Sequence, residues 1–161
     1  MCDTHYDVFL SYARRDRKTV IEFARRLKAI GVRPFLDVWE LVPGESWQEG
    51  LEKGLEQSAT LAAFLGRGEI GPWQNEEIRS ALDARSKDDH YRVIPVLLPG
   101  TTLPEDSVIP RLLLRLGWVD FRAGTQDPYQ FHRLLCGIRG VSPGDEIGKR
   151  TADERGAIIP A

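Results

Sequence analysis

Short apolar runs alternate along this chain with stretches whose apolar residues recur at three- and four-residue steps. Tyr6 to Tyr12 is the first run. It alternates at its start and is closed by Arg14, Arg15 and Asp16, the pattern of a strand entering a polar loop. Val20, Phe23, Ala24, Leu27 and Ile30 then mark one face of a helix, with Gly31 as its stop. Val32 to Leu36 reads as a second strand, and Asp37 to Glu45, with its Pro43-Gly44 turn signal, as the loop after it. Ser46 is placed to cap a second helix, with Glu49 at the capping-box spacing and Trp47, Leu51 and Leu55 four apart. Ala59 to Leu65 is nearly all apolar, as a fully buried strand requires. Pro72 suits the first turn of a helix over Trp73 to Arg85. Arg92 to Leu98 is a fourth strand, ended by Pro99 and Gly100. Pro104 and Pro110 break Thr101 to Leu116 into loop and short helical pieces. Gly117 to Phe121 reads as a short last strand and Pro128 to Arg139 as a last helix. From Gly140 to the end, turn residues and charges lack periodicity, so residues 140–161 read as a linker or tail.

Strands alternating with helices imply βαβ units and a mostly parallel sheet covered on both faces. Such sheets bind ligands beyond the carboxyl ends of their strands, where the strand order reverses. That rule selects Ser11–Asp16, Asp37–Glu45 and Gly66–Glu77. With 161 residues, 42% hydrophobic and 29% charged, the chain fits one soluble domain able to build a core without staples. A net charge of −2 provides no basic field for nucleic acid. No apolar run is long enough to span a bilayer, and the start lacks the order of a signal peptide, so a cytoplasmic location without membrane contact is expected. Cys2 and Cys136 form no close pair, and His5, His90 and His132 lack ligand spacing. Reduced thiols and no zinc site are expected, with a core cysteine and surface histidines.

Gly66 to Gly71 spells a literal G-x-G-x-x-G between a strand and a helix. A dinucleotide fingerprint needs the helix to open within the glycines and an acid near the end of the next strand. Here Pro72 favours a helix that starts after them, and that strand ends Leu97, Leu98, Pro99; a plain connecting loop is the better reading. Trp73 and Glu77 lie four apart and share a helix face, while Ile78, Leu82 and Arg85 form an overlapping stripe toward the sheet. An indole beside a carboxylate suits a ligand with a flat ring and a sugar, the acid stabilising positive charge at the anomeric carbon. Spacing alone favours the plainer arrangement of a core tryptophan and an acid drawn to a helix start. Glu76 points elsewhere and reads as solvated. Arg14 and Arg15 suit phosphate oxygens or an exposed charged loop equally. Asp37 ends the second strand and could brace the following loop or touch a ribose. Trp39, Leu41 and Val42 put apolar bulk into that loop, as a contact surface for another chain would.

With these residues in view, the chain resembles a Toll/interleukin-1 receptor (TIR) domain. Tyr6 to Tyr12 resembles the family's first box. Asp37 through Pro43-Gly44 resembles its second box and following loop, although Leu36 stands where receptor-type members carry arginine and five residues separate Asp37 from Pro43. Trp73 to Ile78 resembles the tryptophan-x-x-x-glutamate helix of enzymatic members, and Gly117-Trp118 sits where the third box carries its tryptophan. The resemblance covers about residues 5–139, taken as the domain. It implies a flavodoxin-like α/β fold with a five-stranded parallel sheet of order B-A-C-D-E and helices on both faces. Strands A and C would be neighbours, so that Ser11–Arg15 and Trp73–Glu77 face one cleft.

The resemblance further implies an NAD glycohydrolase or cyclase that cleaves the nicotinamide–ribose bond, with NAD a substrate and no cofactor or metal. Glu77 would be the catalytic residue and Trp73 a stacking partner. Ser11, Tyr12, Arg14 and Arg15 would line the substrate cleft, while Asp37 and Gly44 would belong to a mobile loop. Trp39, Leu41, Val42 and Pro43 would meet other TIR domains, in a homo-oligomer or filament that switches on activity. The departures in the second and third boxes tilt the resemblance toward bacterial members, which act in antiphage or immune signalling within larger proteins. Two alternatives stand beside it: a non-enzymatic TIR adaptor, and a nucleoside deoxyribosyltransferase of similar fold, against which the first box argues. A phosphoacceptor receiver domain fits badly, since the third strand ends in Leu65-Gly66 without an aspartate.

Overall fold

The computed structural model describes residues 5–102 and 108–144. Its elements, in chain order, are β1 (Val8–Ser11), a 3-10 turn (Arg14–Asp16), α1 (Arg17–Ala29), β2 (Pro34–Phe35), α2 (Asp37–Glu40), α3 (Trp47–Glu56) and β3 (Thr60–Leu65). They continue with α4 (Pro72–Lys87), β4 (Arg92–Leu97), α5 (Val108–Leu113), β5 (Val119–Asp120) and α6 (Pro128–Arg139). The strands form one sheet in the order β2-β1-β3-β4-β5, and every pairing is parallel. This is the doubly wound, flavodoxin-like architecture expected from the sequence.

The pleat divides each strand between two cores. Val8 and Leu10 of β1, with Ala62 and Phe64 of β3, join Val20, Phe23 and Leu27 of α1 and Leu134 and Ile138 of α6. Phe9, Leu61, Ala63 and Leu65 point the other way, toward Ile78 and Ala81 of α4 and Leu113 of α5. Burial on both faces explains why β3 reads as an unbroken apolar run rather than an alternating one, and β1 is buried on both faces as well.

Local chemistry sets most boundaries. Ser46 accepts the Glu49 N–H at the start of α3, and Asp127 accepts the N–H groups of Tyr129 and Gln130 at the start of α6. Past the end of α1 the Gly31 N–H reaches the Lys28 carbonyl and the Val32 N–H the Leu27 carbonyl, a Schellman closure. Two expectations needed correction. The segment after β2 is not loop throughout, because Asp37–Glu40 forms a helical turn in which the Leu41 N–H reaches the Asp37 carbonyl. The edge strand β2 is also shorter than expected: the Arg33 N–H leaves the ladder for the Asp7 carboxylate, and Pro34 has no N–H to offer. Pro110 lies inside α5. Pro104, Cys2 and the expected tail beyond Gly144 lie outside the described residues. Cys136 is buried, its sulfur 3.5 Å from His132 Nε2. Among the described residues no helix is long and apolar enough to cross a membrane.

Candidate active site

The strand order reverses between β1 and β3: the chain runs from β1 out to β2, then crosses back to β3 on the other side. The crevice outside the carboxyl ends of those two strands is where a doubly wound sheet holds its ligand. Ser11 is the last residue of β1 and is fully buried. Its hydroxyl donates to Glu77 Oε1 on α4 at 2.8 Å. Burial is the main reason that the Glu77 carboxyl is pushed up to about 7. The Ser11 hydrogen bond opposes that shift, and the negative charge of Asp37 adds to it. A carboxyl tuned to neutrality, in a crevice and beside a second acid, is the kind of group that performs acid–base or charge-stabilising chemistry.

Gln74 holds this arrangement together. It is buried, and its side-chain amide donates to the Ser11 carbonyl at 3.2 Å and to the Phe64 carbonyl at 2.7 Å. The first turn of α4 is thereby pinned across the ends of β1 and β3, which brings Glu77, one turn further on, to Ser11. On the other side of the crevice the Tyr12 hydroxyl donates to Asp37 Oδ1, and Arg17 Nε donates to the Tyr12 oxygen at 3.4 Å. Asp37 also accepts the Val38 N–H at 2.8 Å. Burial first, and Asp37 second, hold the Tyr12 phenol protonated well above its ordinary range.

Of the residues proposed from the sequence, Ser11, Tyr12, Asp37 and Glu77 thus gather at one place. Trp73 lies a turn before Glu77 on α4 and is exposed, its ring 4.2 Å from that of Trp47 at 84°. Arg15 does not reach the carboxylates; its guanidinium donates to the Glu69 carbonyl and packs by Gly68 in the β3–α4 connection. Arg14 is exposed on the same edge. Gly44 sits away in the loop after α2, at φ +94°, where the Glu45 N–H returns to the Val42 carbonyl. Pro43-Gly44 there makes a type II turn. Trp39 on α2 and Val42 in that loop are exposed, whereas Leu41 packs inward on the α3–α4 core and fills the space beside Gly50. Glu76 is exposed, as expected.

The glycines of Gly66–Gly71 connect β3 to α4, and the helix opens at Pro72, after the last of them. Gly66 is required for close approach rather than for a ligand: a Cβ there would lie 2.5 Å from the Asp16 carboxylate. Asp16 Oδ2 is buried without a hydrogen-bond partner among the described residues, and burial raises that carboxyl despite Arg15 nearby. Among the described residues no three His, Cys, Asp or Glu side chains gather as a metal site would need.

Sequence reasoning missed Gln74, Arg17, Asp16 and Trp47. For Gln74 a signal existed, because it precedes Ile78 and Ala81 at helical spacing and is the one polar member of that buried stripe. Asp16 and Trp47 depend on contacts between distant elements, with Gly66 and Trp73, and Arg17 on a side-chain bond to Tyr12 that no periodicity marks.

A doubly wound α/β domain with a half-buried carboxylate at its topological switch point is thus defined by structure alone. The chain belongs to the TIR domain family, whose model matches residues 8–135. Over 96 residues it is 28% identical to the 2' cyclic ADP-D-ribose synthase AbTIR of Acinetobacter baumannii (strain 1295743). It is 26% identical, again over 96 residues, to the NAD(+) hydrolase TcpC of Escherichia coli O6:H1 (strain CFT073). Each alignment takes in 58% of this chain but only 35% and 31% of the relative, so the chain spans about a third of the length of the curated relatives it matches. Among solved structures, the TIR domain of the Toll-related receptor TRR-2 from Hydra magnipapillata superposes with a TM-score of 0.66 at 20% identity, covering 83% of this chain and 98% of that one. The TIR domains of the activated Roq1 resistosome give 0.55 at 24% identity, covering 85% of each chain. At such identities these two neighbours speak for the fold.

Proposed function

We propose that this TIR domain cleaves the bond between nicotinamide and ribose in NAD, with Glu77 as the catalytic carboxylate. The observation that carries the reading is the Ser11–Glu77 hydrogen bond at the switch point, which fixes a nearly neutral-pKa acid where a ligand would lie. The names of the two bacterial relatives support the substrate. Glu77, ionised, accepts the ribose hydroxyls and stabilises the oxocarbenium-like charge that grows at the anomeric carbon. The C–N bond breaks with its electron pair passing to the pyridinium nitrogen, so that nicotinamide leaves neutral. Water, or a nucleophile of the same molecule, then adds to the anomeric carbon and loses a proton. NAD is consumed as substrate in this scheme.

Ser11, being fully buried, acts through Glu77. Trp73 offers an exposed indole face for a flat ring, and Arg14 and Arg15 line the edge where phosphate oxygens would pass. Tyr12 and Arg17 hold Asp37, and through it the start of the loop that carries Gly44. Trp39, Val42 and Pro43 on that loop would meet a second TIR domain, in an assembly that raises activity. The same exposed apolar loop favours a second reading, a TIR adaptor that associates without chemistry. The test is chromatographic measurement of nicotinamide released from NAD by wild type and Glu77→Gln, over a wide protein concentration and after clustering on beads. Release that rises with concentration and disappears in the variant supports the enzyme. No release from the clustered wild type supports the adaptor.

A further inference from the structure

We infer that Trp47 is a positioning residue of this site: its indole fixes the plane of Trp73 and ties that plane to the loop preceding α3. The inference rests on the NAD-cleaving reading above. Trp47 opens α3 immediately after the Ser46 cap, and Trp73 is the second residue of α4. Their rings meet edge to face, 4.2 Å apart at 84°. Each remains nearly half exposed, 46% for Trp47 and 48% for Trp73, so neither is a core residue whose burial would explain it. Each ring instead limits the rotamers of the other while leaving a face open. One turn separates Trp73 from Glu77. The plane of that indole therefore decides whether a heteroaromatic ring can lie on it while its sugar reaches the carboxylate.

The loop is coupled to the same place. Leu41 packs against Gly50, where a Cβ would lie 2.5 Å from Leu41 Cδ2, and Gly50 stands one turn after Trp47 on α3. Trp47 also lines a groove of about 350 Å³ shared with Glu40, Leu41 and Val42. A displacement of the loop thus reaches Trp73 through one side chain.

The experiment is steady-state nicotinamide release from NAD by wild type, Trp47→Ala, Trp47→Phe and Trp73→Ala, with far-ultraviolet circular dichroism of each protein. Loss of the edge-to-face contact should raise KM about three- to tenfold in Trp47→Ala, with kcat within about twofold. Trp47→Phe keeps an aromatic edge against Trp73 and should return KM close to wild type. The exciton couplet of the paired indoles should vanish in both alanine variants. A merely structural role would lower kcat through loss of folded enzyme at constant KM; that outcome, or unchanged kinetics in Trp47→Ala beside an active wild type, overturns the inference alone. A clustered wild type that releases no nicotinamide overturns the NAD reading and the inference with it.

Discussion

The two sides of the crevice are built on opposite principles. On the α4 side, polar groups are buried and tied to secondary structure: Ser11 ends β1, Gln74 bridges β1 and β3, and Glu77 receives the Ser11 hydroxyl. On the side after β2, apolar groups are exposed on a single helical turn and the loop that follows it, with Trp39 at 39% and Val42 at 57% accessible. Buried polar groups with defined partners hold a geometry, as bond breaking demands. Exposed apolar groups on a turn gain by being covered, as association demands. On the proposed reading, chemistry and recognition occupy different banks of one cleft, joined by the Tyr12–Asp37 hydrogen bond and by the Trp47–Trp73 contact.

The widest separation of the two banks should come from Glu77→Gln. Removing a charge that acts mainly in the transition state costs about 100- to 1,000-fold in turnover, so nicotinamide release should fall at least that far, with unchanged self-association in sedimentation. The same variant sharpens the electrostatics. The Glu77 carboxyl lies at about 7 in the fold against an ordinary 4.5, so between those pH values the folded state binds more protons than the unfolded one. Wild-type stability therefore falls as pH rises through that window. Glu77→Gln does not titrate, and thermal melts should show it gaining roughly 1–3 kcal/mol on wild type between pH 4 and pH 8. A gap that does not widen with pH would remove the burial argument.

Next in size is Ser11→Ala. The Ser11 hydrogen bond lowers the Glu77 pKa, so its loss should move the acid limb of the kcat/KM profile to higher pH. At neutral pH kcat/KM should fall about tenfold, the value of a hydrogen bond to a charged group. In wild type that limb should lie near pH 7, because kcat/KM reports the free protein; a flat profile from pH 5 to 8 would contradict the assignment. Gln74→Ala removes the side-chain donor to the Ser11 and Phe64 carbonyls, and denaturant titration should show a loss of about 1–3 kcal/mol. The smallest effect on the fold belongs to Trp39→Ala. Its thermal stability should stay within about 0.5 kcal/mol while concentration-dependent sedimentation weakens; identical sedimentation would disconnect that loop from assembly.

Much of the frame was legible because its causes are local. The Ser46 cap, the Schellman closure at Gly31 and the Pro72 and Pro128 helix starts act over a few residues, and they fell where the pattern put them. The Trp73–Glu77 spacing on α4 was legible for the same reason. Asp37–Glu40 misread as loop because its helical turn is too short for periodicity to show. Leu41, read beside Trp39 and Val42 as exposed apolar bulk, turns inward because Gly50 on α3 leaves room for it.

The sequence by itself determined the order of elements, the two-faced burial of β3, and the residue types able to do sugar chemistry at strand ends. Only the tertiary structure decided that Ser11 would meet Glu77 across 66 positions, that Gln74 would be buried between two strand ends, and that Trp47 would lie on Trp73. Propensity and capping are written in neighbouring residues. A pKa near 7 and a shared cleft depend instead on which distant groups the strand order brings together, and on how much water their packing removes.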